Sequence, residues 1–87
     1  MNVVELKKRA VALEQALNTN ASESVAVAEF ANYIPLLSAI QRAKAGEIFE
    51  PEEIPGMYHW KFETDIFWKH KNLGDVFAGF SLLLRGL

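Results

Sequence analysis

The chain has 87 residues, 51% of them hydrophobic, and a formal net charge of −2, which fits a single domain, residues 1–87, burying roughly 60 to 65% of its unfolded surface. It contains no Cys, so a disulfide framework and a thiolate zinc site are excluded; small secreted domains often rely on such staples, and the expected location is the cytoplasm. No apolar run approaches the ~20 residues that span a bilayer, and the N-terminal segment mixes Glu5, Lys7, Lys8 and Arg9 with its apolar residues instead of forming the apolar stretch of a signal peptide.

Val3, Leu6, Ala10, Leu13 and Leu17 recur at spacings of three and four. This predicts a helix with one apolar stripe, ending at Asn18-Thr19-Asn20. Ser22 or Ser24 then supplies a side-chain oxygen to cap a second helix. Along that helix Val27, Phe30, Ile34 and Leu37 form a stripe continued by Ile40 and Ala43, and Gly46 follows Arg42 and Lys44 as its stop. Pro35 lacks an N–H and its ring crowds the carbonyl of Ala31, so residues 22–46 form either one bent helix or two shorter ones, the second capped by Asn32 with Pro35 in its first turn.

Residues 47–56 are the most distinctive segment. Residues 1–46 carry five basic and four acidic side chains and residues 57–87 carry four and three, whereas Glu47, Glu50, Glu52 and Glu53 are accompanied by no basic residue before Gly56. The acidity of the chain is therefore concentrated in one loop. As a simple connector, this loop would use its prolines to set turns and Ile48, Phe49 and Ile54 to hold the core. As a recognition loop, it would steer a cationic partner with Glu47, Glu50, Glu52 and Glu53 and anchor it with Tyr58 and Trp60, residue types enriched at interface hot spots.

From Met57 to Lys71, Tyr58, Trp60, Phe62, Thr64, Ile66 and Trp68 alternate like one face of a strand. A short β-hairpin around residues 47–62 is one reading. The preferred reading is a helix buried on several sides, or two short helices. The last helix carries Leu73, Val76, Phe77, Phe80, Leu83, Leu84 and Leu87 on one face, with Asn72 as its expected cap, Asp75 in its first turn, and Gly74 and Gly79 permitting a close helix crossing. The expected fold is mainly α, a small bundle of four to five helices with a core containing Leu6, Leu13, Leu17, Phe30, Leu37, Ile40, Val76, Phe77, Phe80 and Leu84.

Catalytic and metal chemistry find little support in the pattern. On a continuous helix His59, Glu63 and His70 would share a face, but at ~1.5 Å per residue the two histidines stand roughly 16 Å apart, too far to converge on one ion. Glu63 and Asp65 are read as solvated charges. No phosphate loop, nucleophile elbow or Cys nucleophile is present. The basic clusters Lys7-Lys8-Arg9 and Lys69-His70-Lys71 are small, and the sequence pI is about 5.6, against the basic balance that nucleic-acid binding usually requires. The expectation is a non-enzymatic protein-binding domain without metal or cofactor, contacting neither nucleic acid nor membrane.

From about Leu6 to Leu87, the order of short helices, acidic turn and aromatic-rich C-terminal half resembles that of small helical bacterial immunity proteins. The resemblance implies neutralisation of a cognate toxin, here one with a basic surface, by occlusion. The alternative is a homo-oligomeric structural or adaptor protein, a homodimer formed through surplus aromatic residues and the helix Leu73–Leu87.

Overall fold

A computed structural model describes residues 1–87. The protein folds as five α-helices and one π-helical turn, without strands: α1 Val3–Ala21, α2 Val25–Ala31, α3 Ile34–Lys44, the π turn His59–Glu63, α4 Ile66–Lys69 and α5 Lys71–Leu84. The short β-hairpin that is the alternative reading of residues 47–62 is not seen. The loop from Glu47 stays irregular, and the chain after Gly56 coils, so no two extended segments face one another.

The first helix starts where Asn2 Oδ1 accepts from the Glu5 N–H at 3.0 Å, and it runs to Ala21, slightly beyond the expected end. Its buried stripe of Leu6, Ala10, Leu13, Ala16 and Leu17 packs against α2, α3 and α5, most extensively α5. Two polar ties brace these contacts at the periphery. Arg9 Nη1 donates to the Gly79 carbonyl at 2.8 Å, and Lys44 Nζ lies 2.9 and 3.0 Å from the two carboxylate oxygens of Glu14.

Ser24 Oγ accepts from the Val27 N–H at 3.2 Å and caps α2. The helix then breaks. Asn32 closes α2, its side chain donating to the Ala28 carbonyl at 2.9 Å, and the extended Tyr33 (φ −67°, ψ 116°), rather than Asn32, is the N-cap of α3. Pro35 consequently lies in a first turn, where its missing N–H would have had no helical partner. This break resets the helical register. Leu36, Ala39, Ile40 and Ala43 are buried, while Ile34 is 70% and Leu37 36% exposed, so Ile34 leaves the expected stripe and Leu37 the expected core.

His70, not Asn72, occupies the cap position of α5, which begins at Lys71. Leu73, Phe77, Phe80 and Leu84 are buried and Val76 is half-buried. The close crossing expected of the two glycines is found at one of them. A Cβ on Gly74 would stand 2.6 Å from the Phe67 carbonyl oxygen, so α4 and α5 meet backbone to backbone there, whereas the nearest group to a Cβ on Gly79 is Arg9 Nη1 at 3.7 Å. No helix is long and apolar enough to cross a membrane.

Candidate binding surface

Gly46, with φ 72°, ends α3 in a left-handed turn that glycine adopts without a Cβ penalty. The Glu47 N–H reaches back to the Arg42 carbonyl at 3.0 Å and the Gly46 N–H to the Ala43 carbonyl at 3.1 Å. The acidic loop that follows is fastened at several points. Ile48 and Ile54 are buried, the Glu52 N–H donates to the Leu84 carbonyl at 2.9 Å, and the Tyr33 hydroxyl donates to the Pro55 carbonyl at 2.7 Å. Phe49 does not serve as the third anchor expected of it; it is 70% exposed.

The four glutamates of the loop divide into two pairs with different jobs. Glu52 receives two hydrogen bonds from the Arg42 guanidinium, at 2.8 and 2.6 Å. These hold its carboxyl below the ordinary range, against an opposing contribution from partial burial. Glu53 Oε1 lies 3.3 Å from Arg85 Nε. Glu47 and Glu50 are exposed and belong to no ion pair. The negative field that reaches solvent therefore comes chiefly from Glu47 and Glu50, since an arginine offsets each of the other two.

The two expected aromatic anchors also separate. Tyr58 is 71% exposed, but Trp60 is 8% exposed, its ring centroid 4.9 Å from that of Phe30 and 5.7 Å from that of Tyr33. Trp60 is a core residue and cannot be a contact residue without unfolding its surroundings. In a helical turn, positions four apart share a face, so Tyr58 pairs with Phe62, with centroids 5.1 Å apart, and Trp60 points inward between them. Thr64 Oγ1 ends the turn by donating to the Trp60 carbonyl at 2.6 Å.

Phe62 and Trp68 were not singled out by the sequence, yet they are 71% and 75% exposed and line one shallow hollow with Ala26 and Thr64. The helical reading of residues 58–63 carries the signal for Phe62, which follows Tyr58 by four residues. No comparable signal marks Trp68, because its exposure depends on how α4 turns after Asp65. Loose packing does not explain these exposed rings. The solvent-accessible surface is 5163 Å², close to the ~5,200 Å² of a compact monomer of this mass.

The titratable residues of the same segment are dispersed. His59 Nδ1 lies 3.3 Å from Glu63 Oε1, Asp65 pairs with Lys69 at 3.1 Å, and His70 stands at the start of α5. No three His, Cys, Asp or Glu side chains are grouped closely enough to hold a metal ion. The arrangement supplies a display of exposed aromatic rings and carboxylates. No protein-family model matches the chain, and no curated protein or solved structure matches it significantly.

Proposed function

We propose that this chain is a non-catalytic protein-binding domain, in which Tyr58, Phe62 and Trp68 make the principal contact and Glu47 and Glu50 steer a basic partner toward it. The observation that carries this reading is the exposure of Tyr58, Phe62 and Trp68, at 71, 71 and 75%, on a chain that has otherwise packed to an ordinary surface area. Exposed large apolar groups of this kind mark interaction sites, and aromatic anchors dominate the energy of many interfaces. Carboxylates without internal partners raise the rate of encounter with a cationic surface more than they raise the final affinity.

The partner we propose is a protein with a basic surface, and the biological form is neutralisation of a toxin by occlusion, as in the bacterial immunity proteins whose layout this chain resembles. Occlusion requires no turnover, and a broad hydrolase and transferase screen is expected to be silent. A cytoplasmic location suits a chain without Cys. The test is affinity purification from the native host, followed by binding kinetics of Phe62→Ala and Trp68→Ala against the recovered protein. Faster dissociation supports the reading. Unchanged binding by both variants overturns the assigned surface.

The second reading, self-association into a structural or adaptor assembly, draws on Leu82 and Leu87, which α5 and its end leave 46% and 73% exposed. Light scattering over a wide concentration range separates the two, because a mass that stays monomeric eliminates the homodimer.

A further inference from the structure

A second feature of the molecule lies apart from that surface. Between α4, the outer side of α5 and Lys61 is a cleft of about 370 Å³ that shares no lining residue with the hollow of Phe62 and Trp68. Its volume is at the low end of the range of roughly 300–1,000 Å³ occupied by small-molecule clefts. Phe67 and Phe77 line it as a stacked pair, centroids 4.8 Å apart and planes inclined by 18°. Ala78 and Leu82 continue the apolar lining along α5.

The charged residues of the lining all have one sign. They are Lys61 and Arg85, and the one acidic residue beside them, Glu53, lies outside the slot, in the adjoining hollow that Lys61 and Arg85 also line. Lys61 belongs to no ion pair, and Arg85 approaches Glu53 through Nε alone, at 3.3 Å, so its two Nη groups remain available. An apolar slot bordered by two such cations complements a molecule with an apolar body and an anionic head. A single charge fits better than a phosphate, because Arg85 is also the C-cap of α5, where the partial negative charge of the helix end opposes a multiply charged anion.

We propose that this cleft binds a small apolar monocarboxylate, its hydrocarbon part against Phe67 and Phe77 and its carboxylate on Lys61 and Arg85. This site is independent of the protein-binding surface, and either can fail without the other.

The test titrates the full chain with octanoate, octan-1-ol and octylammonium, followed by amide chemical shifts. Octanoate is expected to shift the amides of Lys61, Phe67 and the turn from Phe77 to Arg85, and to bind about tenfold more tightly than octan-1-ol, equivalent to about 1.4 kcal/mol. Octylammonium should bind more weakly than either. Lys61→Gln combined with Arg85→Gln should abolish the preference for octanoate while retaining octan-1-ol binding, and both altered side chains are exposed, so the fold should persist. Ala78→Phe, also at an exposed position, should fill the slot and remove binding of both ligands. The proposal is overturned by an absence of shifts, by shifts centred on Tyr58, Phe62 and Trp68, by equal affinity for octanoate and octylammonium, or by a preference for octanoate that survives the double charge removal.

Discussion

Arg42 holds both carboxylate oxygens of Glu52, at 2.8 and 2.6 Å, and so ties the last turn of α3 to the middle of the acidic loop. The two side chains are 40% and 32% exposed, so solvent screening limits the pair to about 0.5–1 kcal/mol. Hydrogen bonding from Arg42 lowers the pKa of Glu52 in the folded state. The pair therefore contributes fully above the unfolded carboxylate value, and its contribution is lost as pH falls through the lower folded value. Glu52→Gln should destabilise the protein at pH 7 and lose most of that difference in acid, once the pH lies below the lowered folded value. Urea melts of both proteins at pH 7 and in acid check this, and a gap undiminished at low pH would show that the carboxylate charge is not its source.

Gly74 and Gly79 should respond to alanine with opposite signs. At Gly79 a Cβ meets nothing nearer than 3.7 Å, so Gly79→Ala should stabilise by up to about 1 kcal/mol through helix propensity alone. At Gly74 a Cβ would press on the Phe67 carbonyl oxygen at 2.6 Å. That atom belongs to the backbone and cannot swing away, so Gly74→Ala should destabilise by about 1–3 kcal/mol despite the better helix former. Thermal melts of the two variants decide the matter.

Trp60→Ala should differ in kind from Phe62→Ala and Trp68→Ala. Removing the buried indole that packs on Phe30 and Tyr33 should cost about 3–5 kcal/mol of folding stability. The two exposed rings should change stability by only about 0.5 kcal/mol. Their effect should instead appear as faster dissociation of the partner, readable by surface binding kinetics.

These contrasts also locate what the sequence made legible. The apolar stripe of α1 and the buried set Leu73, Phe77, Phe80 and Leu84 follow from helical periodicity, because each of those helices is continuous. The stripe through Val27, Phe30, Ile34 and Leu37 assumed the same continuity across Tyr33. One extended residue there turns the first part of α3, burying Leu36 and exposing Ile34 and Leu37, while Ile40 and Ala43 are buried as the stripe implied. The expectation of Trp60 as an anchor rests on its residue type and its place beside the acidic loop, which do not say which way a ring faces; the coiled backbone puts Tyr58 and Phe62 together and turns Trp60 inward. The loop charge was legible as a count. Its division into two paired and two free carboxylates was not, because Arg42 and Arg85 reach Glu52 and Glu53 only after the chain has folded.

Charge reversal should therefore act differently within the loop. Glu47→Lys with Glu50→Lys should slow association with a basic partner and weaken its salt dependence while leaving the fold intact. Glu52→Lys should place like charges together at Arg42 and lower stability as well. Stopped-flow association at two ionic strengths, beside urea melts, separates the two behaviours. Equal association rates for wild type and the Glu47/Glu50 double reversal would remove steering from the mechanism.

The union of α1 with α5 has a consequence for how the molecule comes into being. A ribosome delivers Leu84 some eighty residues after Val3, so the helix that organises the core emerges long before its most extensive partner. Until then Leu6 and Leu13 have nothing from α5 to lie against, and the loop must wait for the Leu84 carbonyl that holds the Glu52 N–H. Completion of the domain consequently waits for α5, whose contacts with α1 join distant parts of the chain. A nascent chain stopped before Phe77 would expose a sticky amphipathic helix to chaperones and proteases instead of yielding a smaller version of the same fold.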